Sequence, residues 1–305
     1  MSALVACATL ALLGLVVAQS APSGHALATA PAASLLVFEG ETLAGPGKGR
    51  VAVYVARADG TGLRRLPGSG RFSGEPAWSP NGAEIAFISN RGGDPRYGGS
   101  NELFVMNASG GGVRQLTFNS LEEHDPAWDP RGRQIAFAGE QGLNVAAADG
   151  SVLRKITAEV PLRSPTWSPQ GEKLAFSSGP NRKLTSTELY VVSARGTGLR
   201  RLAQVKGGAA EPAWSPDGRT VAFVAGRPSN VYLLTTATGK TRRLTRTAVV
   251  EHAPSWSPDG KQIVYARGAG RRELWVMNAD GTAGRRLLGR TSVSFDRPSW
   301  QPIRR

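Results

Sequence analysis

Cysteine and histidine are nearly absent from this chain of 305 residues. Its single cysteine is Cys7, and its three histidines are His25, His124 and His252. Without a second cysteine, an intramolecular disulfide is excluded. The sequence also lacks the Gly-x-Ser-x-Gly and His-Glu-x-x-His motifs and any glycine loop that could cradle a phosphate. We therefore expect a protein that is not an enzyme and has no cofactor.

Helical periodicity is absent after the first 30 residues. Residues 3–18 are almost all alanine, leucine, valine and glycine, and Ala26-Leu27-Ala28 offers a small-x-small cleavage site. This pattern predicts a signal peptide over residues 1–28, followed by a short linker over 29–34. The apolar stretch is shorter than the roughly 20 residues of a membrane span. We expect an exported protein, periplasmic, envelope-associated or secreted, with no transmembrane span in the mature chain.

A tryptophan two residues after a proline recurs six times. The intervals between these tryptophans run from 39 to 50 residues, which is the length of a structural repeat. The six copies end at Trp78, Trp128, Trp167, Trp214, Trp256 and Trp300.

Each repeat predicts four short strands. The best copies read Pro-x-Trp-Ser-Pro-Asp-Gly and continue with an apolar run, as in 212–223 and 254–265. A second apolar run follows, as in 102–106, and a short segment rich in arginine closes the unit. Asp-Gly between apolar runs of four to six residues indicates a hairpin. Four antiparallel strands in about 40–45 residues form one blade of a β-propeller.

The two chain ends predict how the ring closes. Residues 35–66 supply strands two to four of a blade whose tryptophan strand is missing, whereas Pro298-Ser299-Trp300 is a tryptophan strand with nothing after it. Together they complete one blade. The sequence thus predicts an all-β, six-bladed propeller over residues 35–305, closed by pairing of the N- and C-terminal strands. An open array of five repeats would leave both ends uncapped.

The formal net charge of +14 is spread round the predicted ring. Basic residues recur in the fourth, outermost strand of the blades, which we call the arginine belt: Arg64, Arg65, Arg114, Arg154, Lys155, Arg200, Arg201, Arg242, Arg243, Arg285 and Arg286. Charges on an outer edge strand prevent edge-to-edge aggregation, which is the interpretation we favour. The alternative is attraction to an anionic polymer or surface. We expect a monomer that does not bind nucleic acid, because no basic-aromatic binding motif stands out.

Charged residues interrupt the apolar start of several repeats. We predict that the loops leading into the innermost strands bring them to one mouth of the central channel, where they form a binding site. A polar loop position without a function is the simpler alternative. The candidates are Glu75, Glu123, His124, Asp125, Arg163, Glu211, Glu251, His252 and Asp296, and Glu122 and Arg297 stand beside them in the same segments.

The two histidines raise the possibility of a metal. His124 and His252 stand four residues before a tryptophan in the third and sixth blades, so they are predicted to face each other across the ring. A divalent ion near one of them, held with carboxylates, is the sharper hypothesis. A small ligand or a peptide held by the charged mouth is another.

The frame Pro-x-Trp-Ser-Pro-Asp-Gly-x-x-Ile-Ala-Phe, followed by Leu-x-Val-Met-Asn-Ala-Asp-Gly, resembles the WD40-like repeat of the TolB family over residues 35–302. The resemblance implies a six-bladed, exported propeller that binds protein partners through the channel mouth and blade loops. The best-known members bind a peptidoglycan-associated lipoprotein in the Tol envelope system. They carry an α/β domain before the propeller, whereas here the first strand is expected by Leu35, so only the propeller's binding role carries over. The repeat also resembles the propeller of dipeptidyl-peptidase-like serine peptidases.

Three functions follow from these observations. The first is an exported, non-enzymatic propeller that binds a protein or another component of the cell envelope. The second is an enzyme at the channel, such as the metal-dependent lyases that some TolB-like propellers house. The third is an accessory subunit that docks on a separate catalytic or transport protein.

Overall fold

A computed structural model describes residues 26–28, 34–70, 72–91, 100–119, 121–140, 142–157, 161–179, 187–203, 205–289 and 291–302. Within these ranges all regular structure is β, with 24 strands in six four-stranded antiparallel sheets. The all-β, six-bladed propeller predicted from the repeat is confirmed. Residues 1–25 of the predicted signal peptide (1–28) and residues 29–33 of the predicted linker (29–34) lie outside the described residues.

Each blade runs from an innermost strand to an outermost one. Blade 1 contains β24 (Val293–Trp300), β1 (Leu35–Thr42), β2 (Val51–Arg57) and β3 (Arg64–Arg65). Blade 2 contains β4 (Ser73–Trp78), β5 (Glu84–Ser89), β6 (Glu102–Asn107) and β7 (Arg114–Gln115). Blade 3 contains β8 (Glu123–Trp128), β9 (Gln134–Gly139), β10 (Gly142–Ala147) and β11 (Leu153–Lys155).

The remaining blades repeat the same order. Blade 4 contains β12 (Leu162–Trp167), β13 (Lys173–Ser178), β14 (Glu188–Ser193) and β15 (Arg200–Ala203). Blade 5 contains β16 (Ala209–Trp214), β17 (Thr220–Ala225), β18 (Asn230–Thr235) and β19 (Thr241–Arg243). Blade 6 contains β20 (Glu251–Trp256), β21 (Gln262–Arg267), β22 (Glu273–Asn278) and β23 (Arg285–Leu288).

The ring closes in blade 1, as the chain ends predict. The last strand, β24, pairs with the first strand, β1, along its length, from Leu36 opposite Trp300 to Thr42 opposite Val293. Phe38 and Phe295 meet edge to face across this pair, with ring centroids 5.3 Å apart, and both are fully buried. The two chain ends are therefore joined by ladder hydrogen bonds and by an aromatic contact.

Neighbouring blades pack through the tryptophan and the apolar runs. Between blades 1 and 2, for example, Val53 and Leu66 pack against Trp78, Phe87 and other buried side chains of the next blade. The same arrangement recurs around the ring, so each blade buries its faces against two neighbours. All six tryptophans of the Pro-x-Trp repeat lie in these clusters between blades.

Residues 26–28 lie against blade 6. Asn278 of β22 accepts a hydrogen bond from the Ala28 N–H at 2.8 Å and donates one to the Ala26 carbonyl at 3.0 Å. The Gln262 amide donates to the Ala28 carbonyl, and Leu27 packs on the apolar cluster shared by blades 1 and 6. This tripeptide is the predicted cleavage site, and the end of the leader at residue 28 stays a prediction.

The closing blade gives a test of stability. Replacement of Phe295 by alanine should lower the free energy of unfolding by about 3–5 kcal/mol, because it leaves a cavity where the two chain ends meet. Urea denaturation followed by tryptophan fluorescence measures this loss. Phe118→Ala is the control, since Phe118 is 78% exposed and its loss should change stability little. Equal effects of both substitutions would contradict the closing role of Phe295.

Candidate functional site

All nine predicted site residues fall in the first half of an innermost strand. The prediction that they lie in loops is wrong, because each inner strand already pairs with its neighbour five residues before its tryptophan, as Ser73 does with Ser89. Three consecutive positions, counted back from the tryptophan, hold them. We call these positions the channel, flanking and buried registers.

The channel register lies three residues before each tryptophan and directly before the proline. At this point the pairing with the second strand shifts, as between Gly74 and Ala77, and the residue takes a positive φ of 46–55°. A non-glycine residue in this conformation is strained, and the following proline has no N–H for the ladder. The six members are Glu75, Asp125, Ser164, Glu211, Ala253 and Arg297.

Carboxylates of neighbouring blades accept hydrogen bonds from the N–H groups that the bulges free. Glu75 accepts from the Asp125 N–H at 2.5 Å, and Asp125 accepts from the Ser164 N–H at 2.9 Å. Glu211 accepts from the Ala253 N–H at 2.7 Å. Glutamate and aspartate in this register thus bridge one blade to the next and offset the strain of the bulge.

Arg297 of blade 1 holds the carboxylates of blades 2 and 3. Its guanidinium donates to Asp125 and lies 3.4 Å from Glu75 (Nη2 to Oε1). Burial alone would raise the pKa of Glu75, but Arg297, His124 and Arg163 together hold that pKa below its usual value. Glu75 is therefore a charged group near neutral pH.

A further carboxylate, Glu39 of β1, completes this side of the channel. It accepts a hydrogen bond from the Glu75 N–H at 3.1 Å. Burial raises the pKa of Glu39 to about 7, and the neighbouring Glu75 and Asp296 charges add to this against the attraction of Arg297. A Cβ on Gly74 would come within 2.3 Å of the Glu39 carboxylate, so a larger residue at position 74 would displace this carboxylate.

The flanking register lies four residues before each tryptophan and contains both predicted histidines. His124 lies beside Glu75, with 3.6 Å between Nδ1 and Oε1. His252 lies in another electrostatic environment, where burial and Arg272 lower its pKa against the attraction of Asp296. Asp296 in turn forms an ion pair with Arg272 at 2.6 Å. The two histidines therefore have different neighbours, on opposite blades.

Glu211 differs from Glu75 and Asp125 in that no cation of the described residues forms an ion pair with it. Burial raises its pKa to about 7, and repulsion from Asp296 adds to the shift. The Ala253 N–H and the more distant Arg272 oppose it. Because its pKa lies near neutrality, Glu211 can exchange a proton close to physiological pH.

The buried register lies five residues before each tryptophan, and all six of its members are buried. Glu123 accepts hydrogen bonds from the Leu103 N–H and from the side chains of Thr117 and Asn119. Burial raises its pKa to about 7 against these bonds. Glu251 repeats the arrangement with Val231 and Thr245. Both glutamates join adjacent blades inside the protein, away from the channel.

Two cavities lie at this end of the ring. The first, of about 180 Å³, occupies the channel axis and is lined by the whole channel register and its prolines. The second, of about 170 Å³, lies between blades 3 and 4 and is lined by His124, Arg163, Glu122 and Glu140 among others. The structure thus brings together Glu75, Asp125 and Glu211 in one cavity, and His124 and Arg163 in the other.

Among the described residues, no group of three or more His, Cys, Asp or Glu side chains is arranged to hold a metal ion. Nor does any helix in the described part of the chain have the length and apolar character needed to cross a membrane.

Several members of the arginine belt are engaged in contacts within the fold. Arg154 donates to the Ala194 carbonyl at 3.2 Å, and Arg242 donates to the Asp280 carbonyl at 3.1 Å, so each reaches a turn of the next blade. Arg114, Arg201 and Arg286 form ion pairs with glutamates of their own blades. Much of the belt therefore serves to fasten the outer strands.

Of the central residues outside the nine candidates, Arg297 is predicted beside them and Glu39 is not predicted. Arg297 shares the register of Glu75, Asp125 and Glu211, and that register is the signal that identifies it. Glu39 follows Phe38, at a position that aligns with Ile88 of blade 2. A charge at this otherwise small or apolar position of the repeat marks Glu39 in the sequence.

The raised pKa of Glu211 gives a pH test. In the unfolded chain Glu211 ionises near pH 4.5, but in the folded chain only near 7. The folded state keeps the Glu211 proton to a higher pH than the unfolded state does, so the contribution of Glu211 to stability falls as the pH rises from about 4.5 to 7. Glu211→Gln cannot ionise. The free energy of unfolding is measured by urea denaturation near pH 4.5 and near pH 7. Between these two pH values the variant should therefore lose less stability than the wild type.

The control for that experiment is Glu172→Gln, at an exposed turn on the opposite face. It should keep the pH slope of the wild type. An unchanged slope in Glu211→Gln would show that Glu211 ionises in the folded protein as it does in the unfolded one.

Comparison with known proteins agrees with this architecture. A family model described as the TolB beta propeller domain matches residues 17–159 and 154–303. No curated protein matches the chain. TolB from Acinetobacter baumannii superposes with a TM-score of 0.74 at 23% identity, over 88% of this chain and 67% of that one. A TolB candidate from Agrobacterium tumefaciens gives 0.66 at 16% identity, over 88% and 98%.

A chain of a nidogen–laminin complex gives a TM-score of 0.70 at 14% identity, over 89% of this chain and 99% of that one. At these identities the solved structures show a shared fold. The family model, in contrast, matches both halves of the sequence and covers nearly all the strands described above. The chain belongs to the TolB β-propeller family.

Proposed function

We propose that this chain is an exported, non-enzymatic propeller that binds a protein or another cell-envelope component at the mouth of its channel. The observation that carries the proposal is the combination of exposed aromatic and fixed charged side chains on one face. Phe118 is 78% exposed and Phe72 is 42% exposed, and both precede an innermost strand on the mouth side of the ring. Aromatic residues and arginines are enriched among the residues that dominate binding energy at interfaces.

The charged centre favours a partner with polar groups of its own. Arg163 and His124 line the cavity beside the channel, and Glu75, Asp125 and Arg297 are held in fixed positions by one another. Side chains already locked by hydrogen bonds lose little entropy when a partner binds. A partner that places an aromatic contact on Phe118 and a polar side chain in the cavity would satisfy both features.

Export is supported by the predicted leader over 1–28 and by what the TolB resemblance implies. The absence of hydrolase motifs supports a binding role over catalysis. A docking role on a separate catalytic or transport protein is a form of the same proposal, and the identity of the partner separates the two.

Substitution at the mouth tests the proposal. Tagged protein is incubated with envelope extract, and captured proteins are compared between the wild type, Phe118→Ser and Arg163→Ser. We expect one partner to be captured by the wild type and its yield to fall at least tenfold in both variants, because each removes a central contact. Arg219→Ser, at an exposed turn on the opposite face, is the control and should capture as the wild type does.

Capture that is equal in all four proteins would place the partner elsewhere on the ring. If no protein is captured but isothermal titration shows that a cell-wall fragment binds at the mouth, the partner is an envelope component and not a protein. Failure of both assays would contradict the proposed function.

A further inference from the structure

Exposed aliphatic side chains accompany the arginine belt on two neighbouring blades. Val152 and Leu153 of blade 3 are 59% and 57% exposed, and Leu199 of blade 4 is 48% exposed. Each stands at or just before the start of an outermost strand, at the end of the blade opposite the channel mouth. Burial of such side chains against one another would be favourable, yet here they project from the rim.

A hydrogen bond between blades 3 and 4 connects the segments that contain these residues. Arg154 follows Leu153 in blade 3 and donates a hydrogen bond to the Ala194 carbonyl of blade 4. Ala194 begins the turn that leads to Leu199. Exposed basic side chains lie within four residues of the three aliphatic residues in the sequence. We call the whole the blade 3–4 rim patch, and it consists of Val152, Leu153, Leu199, Arg154, Lys155, Arg195 and Arg200.

Basic groups outnumber the carboxylates beside the patch. The adjoining turns contribute Asp149 and Glu172. Asp149 accepts two hydrogen bonds from Ser151, which lower its pKa. The patch itself contains four basic side chains, so its excess charge is positive and complementary to an anionic partner.

The combination is less developed at the equivalent positions of other blades. In blade 1, Leu63 precedes Arg64 and Arg65 but is only 37% exposed, and no second exposed aliphatic residue accompanies it in that turn. Thr241 precedes Arg242 in blade 5, and Gly284 precedes Arg285 in blade 6, so basic residues there lack an aliphatic neighbour. In blade 2 the equivalent Val113 is half-buried against the core. Prevention of edge-to-edge aggregation explains the arginines on all blades, but it does not explain leucine and valine exposed among them.

We infer that the blade 3–4 rim patch binds the surface of an anionic phospholipid membrane. The aliphatic side chains lie on a convex outer rim, which a fluid lipid interface can surround, whereas a protein partner would need a matching groove. Aliphatic residues reach the boundary of headgroups and acyl chains, and the flanking basic residues contact phosphates. A soluble polyanion would use the basic residues alone.

This site is independent of the proposed function at the channel mouth. The patch begins at the turns between the third and fourth strands, while the channel cavity lies at the opposite end of the inner strands. A ring resting on lipid through blades 3 and 4 keeps its mouth accessible to a partner.

Vesicle co-sedimentation tests the inference. The full chain is mixed with phosphatidylcholine vesicles, with or without phosphatidylglycerol. We expect sedimentation only with the anionic vesicles, and weaker sedimentation at high salt. The double variant Leu153→Asp with Leu199→Asp should bind at least tenfold more weakly, because it removes aliphatic contacts and adds negative charge. Arg200→Ser should lose roughly fivefold.

Two controls separate the patch from general charge and from the other apolar residues. Arg242→Ser removes the same charge from blade 5, where threonine replaces leucine, and should change binding little. Phe118→Asp alters an exposed apolar residue on the mouth side and should bind vesicles as the wild type does. Urea denaturation of every variant confirms that the fold is intact.

The inference is overturned if the wild type binds neither vesicle, or both equally. It is also overturned if soluble polyphosphate competes fully and the leucine double variant keeps wild-type binding to anionic vesicles. That result would show that charge alone acts, and that the patch is a site for an anionic polymer.

Discussion

The pairing of β24 with β1 is the constraint on which the rest of the molecule depends. A blade cannot bury both faces unless it has two neighbours, and only closure gives blades 1 and 6 their second neighbour. Closure also assembles the channel, because Arg297 lies on the last strand, β24, and Glu39 lies on the first strand, β1. The two chain ends therefore build both the mechanical joint of the ring and much of its charged centre.

The channel combines strained backbone with fixed charge. A left-handed residue before a proline occurs in all six inner strands, and each would cost of order 1–3 kcal/mol if nothing compensated it. The carboxylates of Glu39, Glu75, Asp125 and Glu211 accept the freed N–H groups. Acidic residues at the axis thus accept freed backbone N–H groups, and Arg297 limits the repulsion that follows from placing Glu75 and Asp125 together.

The sequence alone predicts the fold well, because the Pro-x-Trp frame locates the innermost strands and the incomplete first and last repeats predict closure. It predicts the site only in part. Glu123, His124 and Asp125 are adjacent in the sequence. In the structure Glu123 lies in the core, His124 lies beside the channel and Asp125 lies on its axis. The bulge before the proline rotates each side chain by an amount that strand alternation does not give. Glu39 lies outside the regular frame, so spacing from a tryptophan cannot find it.

The six bulges have a consequence for how such rings diversify. Their backbone geometry is the same whether the residue is glutamate, aspartate, serine, alanine or arginine. The conformation is therefore imposed by the proline and the blade, and the side chain is free to vary. One position per blade can therefore change the chemistry of the axis with no rearrangement of strands, although a substitution at Glu75, Asp125 or Glu211 also removes a hydrogen bond to the next blade.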